Sequence, residues 1–209
     1  MAPHGTGRTR KSVAERRADI LEAATALISE RGFRGTALRD IAAHAGITEA
    51  GILYHLGSKD GLLIAVLEHR DEVDMTSLAA NLGIDVAALD ADPLPVPLAD
   101  LCRALVERNA RQPEIVRLYA TLEAESLDPD HPASAYFRRR ESWALGIFER
   151  AAQTAGFTDP RRAALATLSL MDGLQLRWLR SENDLDLTSA WDQLAADIVS
   201  PAPREGSAL

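Results

Sequence analysis

Residues 46–63 read GITEAGILYHLGSKDGLL, and this stretch decides the fold. Gly46 offers a positive-φ turn after one helix, Thr48 can cap the next, and GSKD at 57–60 breaks the chain again, with Ser58 as the following cap. Just upstream, 38–45 is predicted as a short helix with Ile41, Ala42 and Ala45 facing inward, Ala42 being small where a second helix crosses. Ile47 and Ile52 then plug the gap between it and a helix over 49–56. Helix, glycine turn, helix is the spacing of a helix-turn-helix. With the apolar residues committed inward, Thr48, Glu49, Ala50, Gly51, Tyr54 and His55 face out.

That outward set suits a recognition helix entering a DNA major groove N-terminus first. Thr48 can cap the helix and still reach a phosphate, and the free N–H groups of the first turn favour an anion. Tyr54 and His55 can donate to phosphate oxygens, while Lys59 is a point charge for the same backbone. Ala50 and Gly51 permit close approach, and Ala50 could touch a thymine methyl. Glu49 either accepts from cytosine N4 or only favours the helix dipole; both readings stay open.

Working outward, the rest of the chain also reads as helix. Ile20, Ala24, Leu27 and Ile28 recur at i, i+4, i+7 and i+8 within 13–31, and Gly32 ends that helix. Further helices are expected at about 59–81, 98–111, 113–127, 132–155, 160–181 and 187–199, with Pro113, Pro132 and Pro160 at or near first turns. Residues 82–97 carry three prolines and read as a connection holding one helical turn. The expected class is all-α with about nine helices: an N-terminal three-helix helix-turn-helix domain and a larger helical domain, to which the family resemblance described below adds ligand binding and dimerisation. The expected bounds are a flexible basic arm at 1–12, the helix-turn-helix domain at 13–58, the larger helical domain, effector-binding and dimerising if the resemblance below holds, at 59–199 and a frayed tail at 200–209.

At 209 residues, 46% hydrophobic and 26% charged, the composition is that of a folded globular chain. Cys102 is the single thiol, which excludes an internal disulfide framework and a cysteine zinc cluster and fits a reducing compartment. No uncharged apolar run approaches the ~18 residues of a membrane span, and the N-terminus lacks a signal-peptide core, so a cytoplasmic protein with no membrane partner is expected. Residues 1–59 hold nine Lys/Arg against six Asp/Glu, a balance of +3, so the other 150 carry −11 of the total −8. A basic head on an acidic body fits a nucleic-acid contact at one end; a merely solvated N-terminus fits it as well. The five histidines, at 4, 44, 55, 69 and 131, show no metal-ligand spacing, and there is no glycine-rich phosphate loop or nucleophile triad. Neither enzyme chemistry, a metal nor a cofactor is expected.

The run ILEAATALISERGFRGTALRDIAAHAGITEAGILYHLGSKDGLL, with its order GF..T, DIA..AGI, YH, SK..LL, resembles the DNA-binding domain of the TetR family of one-component regulators over residues 15–63. The resemblance implies a phosphate contact from Thr36 at the start of the second helix; Arg39 is a further candidate for contact with DNA. It implies that 48–51 and 54 face the groove and that His55 and Lys59 hold backbone. Two departures stand out. The family's frequent phosphate-binding tyrosine falls at Leu53, with Tyr54 one residue later, and the usual capping position is Ala37, so Thr36 is left to cap and the box with Asp40 is missing. Arg8, Arg10 and Lys11 either reach a minor groove or flanking phosphates or touch nothing.

For the acidic body the resemblance implies an isologous four-helix dimer interface, for which Leu165, Leu168, Trp178 and Leu179, then Leu187, Trp191, Leu194 and Ile198, are the candidates. The alternative is that these helices close the subunit's own core. Candidate cavity residues are Tyr119, Leu122, Trp143, Ile147, Phe148, Met171 and Gln175, beside Tyr136 and Phe137; the commoner role for each such residue taken singly is plain core. The expected function is a homodimeric regulator of a two-fold double-stranded operator, a repressor released by a small, largely apolar effector. The alternative is an effector-independent DNA-binding regulator controlled by its abundance or by a protein partner.

Overall fold

The computed structural model describes residues 11–181 and 184–201; Arg8, Arg10 and the tail from 202 lie outside the described residues. Ten α-helices are present there and no strand: α1 (Val13–Arg31), α2 (Leu38–Ala45), α3 (Glu49–Leu56), α4 (Lys59–Leu82), α5 (Leu98–Ala110), α6 (Pro113–Glu125), α7 (Ser134–Ala155), α8 (Pro160–Arg180), α9 (Leu187–Leu194) and α10 (Ala196–Val199). The expected turn between α4 and α5 is a 3-10 helix at Val86–Asp90, started by Asp85, whose carboxylate accepts from the Ala87 N–H at 2.8 Å.

Local chemistry sets most of these ends. Ser12 and Glu15 form a reciprocal capping box, each side chain accepting the other's backbone N–H. Gly46 adopts the left-handed conformation (φ 65°, ψ 38°), so the Ile47 N–H returns to Ala42 O at 3.0 Å and the chain turns into α3. Thr48 and Ser58 accept from the N–H groups of Gly51 and Gly61. Ala37 gives α2 no side-chain cap.

Two apolar clusters organise the helices. One gathers Ile20, Ala24 and Ile28 of α1, Ile41 and Ala42 of α2, Ile52 of α3 and Leu62, Leu63 and Val66 of α4, and it continues into Leu118 and Leu122 of α6 and Tyr136 and Phe137 of α7. The other joins the far half of α4 (Leu78, Ala79) to α5, α7, α8, α9 and α10. α4 and α7 each contribute to both. The largest helix–helix contact is between α7 and α8.

Here the structure corrects two expectations. The last helix is broken at Ala195 into α9 and α10, so the stripe Leu187, Trp191, Leu194, Ile198 does not run along one helix. Leu187 and Trp191 (3% exposed) are buried in the subunit's own core, where α9 packs on α5 and α8; only Leu194 of that set stands out. Leu122 is likewise fully buried in the N-terminal cluster with Tyr136 and Phe137, not in a cavity wall. It lies about 100° round α6 from its neighbour Glu123, enough to turn it to another face.

Candidate DNA-binding face and effector cavity

The helix-turn-helix leaves one face open. Tyr54 is 84% exposed, its ring edge-on to His55 with centroids 5.2 Å apart, and Thr48, Glu49, Ala50 and Leu53 stand out beside it. Arg39 of α2 is exposed too, its Nε 3.5 Å from the neighbouring Asp40 carboxylate. Gly51 is half-buried: a Cβ there would meet Thr48 Oγ1 at 3.4 Å and Ile47 Cδ1 at 3.6 Å, so a small residue serves the turn packing as well as any groove. His55 is half-buried, and Lys11 is drawn back onto Asp19 at 2.7 Å.

Two residues expected on phosphate are committed elsewhere. Thr36 is 1% exposed and its hydroxyl donates to Gly32 O at 2.8 Å and Leu27 O at 3.3 Å, so it neither caps α2 nor reaches the surface. Lys59 donates to Phe33 O at 2.8 Å, with its ammonium 4.4 Å above the Phe33 ring. Both answer to the same need, satisfying the carbonyls of the tight turn between α1 and α2.

Phe33 is held from the other side as well. Its N–H donates to Glu125 Oε2 at 3.2 Å, at the last residue of α6, and its ring meets His131 edge-on at 5.6 Å. His131 Nε2 in turn lies 3.6 Å from Glu125 Oε2, and Arg34 bridges to Asp128 at 2.7 Å. Gly32 (φ 70°) is needed here: a Cβ would fall 2.6 Å from Glu125 Oε1. The turn before the recognition elements is thus gripped by Lys59 of α4 and Glu125 of α6.

Between α4, α5, α6, α7 and α8 lies a cavity of about 340 Å³, within the range of small-molecule sites. Of the sequence candidates, Tyr119, Trp143, Ile147, Phe148, Met171 and Gln175 line it and Leu122 does not; Leu168, a dimer candidate, lines it too. The sequence reading missed its polar groups: Asp74, Arg108, Asn109, Gln112, Glu123, Arg140 and Asp172. A signal for them existed, because Leu101, Leu105, Arg108 and Asn109 share one stripe of α5, as do Leu67, Asp71, Asp74 and Leu78 on α4. Charged residues on an apolar stripe mark either a buried network or a site.

Both α4 carboxylates are tied to the cavity wall. Asp71 accepts from Tyr119 at 2.9 Å, from Arg140 at 3.2 Å and from the Tyr136 hydroxyl, while Arg140 lies 4.3 Å over the Tyr119 ring. Burial, with the Asp71 charge behind it, holds the Tyr119 phenol above its ordinary pKa, so it stays a donor. Asp74, 2% exposed, pairs with Arg70 at 2.7 Å and accepts from Gln112 at 3.3 Å, and its main-chain oxygen takes Arg108 at 3.0 Å.

Toward solvent the lining carries two exposed carboxylates, Glu123 and Asp172, with Arg140 acting on both. Burial raises the Glu123 carboxyl, with Arg140 opposing and Glu141 adding to it; burial and the like charge of Glu123 push Asp172 up to about 6. An acid whose folded pKa exceeds its unfolded one binds more protons when folded, so its ionisation weakens the fold as pH rises from about 4 through about 6. The Asp172 side chain is open to water on its outer side, which limits the effect. Asp172→Asn is expected to flatten that part of the profile, raising Tm at pH 7.5 by no more than ~2 °C and leaving it unchanged at pH 4. Thermal melts across pH 4–8 check this; an equal shift at both ends would rule out ionisation as the cause.

Among the described residues no group of three or more His, Cys, Asp or Glu could hold a metal, and no single helix is long and apolar enough to cross a membrane.

The family profile for bacterial regulatory proteins of the tetR family matches residues 20–66, which span α2, α3 and the facing parts of α1 and α4. The HTH-type transcriptional regulator TtgR of Pseudomonas putida is 30% identical over 211 residues, covering 95% of this chain and 99% of its own. Among solved structures, a TetR-family transcriptional regulator from Streptomyces coelicolor superposes with a TM-score of 0.73 at 21% identity, over 89% of this chain and 95% of that one. The transcriptional regulator FadR from Bacillus subtilis, solved in complex with stearoyl-CoA, has the same fold at a TM-score of 0.63 and 17% identity, over 89% of this chain and 99% of its own.

Proposed function

The chain belongs to the TetR family of DNA-binding transcriptional regulators, and from that premise we propose that it is a repressor whose operator affinity falls when a small, largely apolar molecule fills the cavity. One observation carries this reading: α4 begins beneath the recognition helix, with Lys59 on Phe33, and its middle holds the cavity wall through Asp71 and Asp74. A molecule that respaces Tyr119, Arg140 or Arg108 therefore acts on the helix that carries the DNA-binding unit. α6 is a second route, lining the cavity through Tyr119 and Glu123 and ending on Phe33 through Glu125. By linkage, operator and effector then weaken each other to the same degree.

A two-fold operator requires two recognition helices, so the proposed functional unit is a homodimer. Leu165 (49% exposed) and Leu176 stand out on α8, with Leu194 on α9, which supports α8 as the centre of the interface; Trp178, Leu179 and Ile198 are part-buried and sit at its margin. The DNA face we propose comprises Arg39, Thr48, Glu49, Ala50, Gly51, Tyr54 and His55. The working division of the chain is a DNA-binding unit of α1–α3 and a sensing and dimerising unit from α4 onward, with the N-terminal core shared across it.

The test is binding of the purified protein to fragments from its own upstream region, with competitor DNA and across a salt series. Tight, competitor-resistant binding is expected; weak, sequence-indifferent binding would sink the reading. A metabolite screen for release from that fragment then tests the effector, and release by none in a broad library leaves an effector-independent regulator. Glu125→Ala is expected to keep operator affinity within ~2-fold while cutting effector-driven release ~5- to 10-fold, because it cuts α6 from Phe33. Full release by an effector in that variant would leave α4 as the sole route.

A further inference from the structure

We propose that the inner end of the cavity is a site for a singly charged organic anion, a carboxylate head on an apolar body, with Arg108 as its counter-ion. This rests on the effector reading and names the chemical class of the ligand.

The argument begins with a charge count. Arg108, on the cavity wall, is only 8% exposed, yet its guanidinium reaches no carboxylate among the described residues: it donates to Asp74 main-chain O at 3.0 Å and to Asn109 Oδ1 at 3.2 and 3.0 Å. The nearby acid, Asp74, is already taken by Arg70 at 2.7 Å, so two guanidiniums share one carboxylate. Arg140, the next cation, is balanced by Asp71. The inner end therefore carries one positive charge without a partner. Buried charges are ordinarily paired, because removal from water is costly and only an opposite charge or full hydrogen bonding offsets it. Burial lowers the Arg108 pKa and Asp74 only partly opposes it, while Arg140 and Arg70 lower it further.

The donors needed by an anion are in place. A guanidinium has five N–H groups, and the three hydrogen bonds above leave two for a planar oxyanion. Asn109 is oriented by Gln175, accepting its Nδ2–H at 2.9 Å, so α5 and α8 together hold Arg108 in position. Trp143, Phe148, Met171 and Leu105 supply an apolar lining for the body of the molecule. Glu123 and Asp172 are exposed on the solvent side and are not among the charges that act on Arg108, which are Asp74, Arg140 and Arg70; Arg140 acts on both groups. The guanidinium without a carboxylate thus lies at the inner end and the exposed carboxylates toward solvent, an arrangement that favours an acid entering head first over a cation at the inner end.

The test uses one apolar body with three heads: 1-naphthylacetate, 1-naphthylacetamide and 1-naphthylmethylamine, titrated into the DNA-free protein at pH 7.5 by calorimetry and Trp fluorescence. The acid is expected to bind at least ~10-fold tighter than the amide and the amine, a margin typical of a charge-assisted pair. Arg108→Gln should abolish the preference. Because that variant removes a buried side chain, Asn109→Asp is the companion: it gives Arg108 an internal carboxylate, and it should raise Tm while also erasing the preference for the acid. Equal binding of the three heads, preference for the amine, binding of none, or an Asn109→Asp protein that melts lower than the parent would each overturn the proposal. Acid binding that leaves operator affinity unchanged would instead overturn the effector reading and leave the site standing.

Discussion

Arg39→Ala combined with Tyr54→Ala is expected to lower operator affinity by roughly 10³-fold while leaving the fold intact. Both side chains are exposed and pack on little beyond their neighbours, so stability should change by less than ~0.5 kcal/mol. A hydrogen bond to a charged group is worth ~1.5–3 kcal/mol when well placed, and an exposed phosphate contact about 1 kcal/mol. In a two-fold complex each substitution counts twice, giving about 4 kcal/mol for four contacts, which is the stated factor. The salt dependence should become shallower at the same time, since Arg39 releases counterions when it meets phosphate. Unchanged affinity, measured by fluorescence anisotropy on the upstream fragment, would remove α2–α3 from the DNA interface. Lys59→Ala is the informative contrast: Lys59 holds the Phe33 carbonyl, so any loss of DNA binding there should come with a lower Tm.

Asp71→Ala is expected to give the largest loss of stability. The substitution takes the acceptor from two phenols and the counter-ion from Arg140 at once, leaving a guanidinium over the Tyr119 ring with no carboxylate. Breaking a fully buried ion pair costs ~3–5 kcal/mol, but both partners here keep some contact with water, so ~2–3 kcal/mol is expected. For a chain of this length that lowers Tm by ~4–12 °C. Asp71→Asn keeps one acceptor oxygen and should lose about half as much. Melting curves of the two variants check this, and a drop under ~2 °C for Asp71→Ala would mean that α4 is not tied to the cavity wall as the contacts suggest.

Much of the helix-turn-helix was legible in the sequence because its determinants are local. Ser12, Thr48 and Ser58 cap, Gly32, Gly46 and Gly57 terminate, and Ile41 and Ile52 are apolar on the face that must be covered. These signals act within a few residues, and the bounds of α1, α2 and α3 follow them. The outward position of Tyr54 follows as well, because a short helix packed by Ile52 has few ways to turn.

The cavity was only partly legible, and the reason is geometric. A helix stripe states which residues leave solvent, not whether another helix or empty space meets them. Tyr119 and Leu122 are both large and inward, yet Tyr119 lines the cavity and Leu122 joins the N-terminal core. Arg108 and Asp74 were passed over because charge on its own reads as surface; their burial depends on partners from α4 and α5 and on Gln112 just before α6. Thr36 and Lys59 misled for the converse reason: each sits where a DNA contact is expected, and each is drawn inward by a carbonyl of the α1–α2 turn. Local sequence therefore determined the all-helical class, most helix ends and the exposed face of the helix-turn-helix, since caps, turns and periodicity act over a few residues. The cavity, the joint at Phe33 and the unpaired charge of Arg108 were decided by tertiary structure, because each exists only where side chains distant in sequence compete for the same space and the same hydrogen-bonding groups.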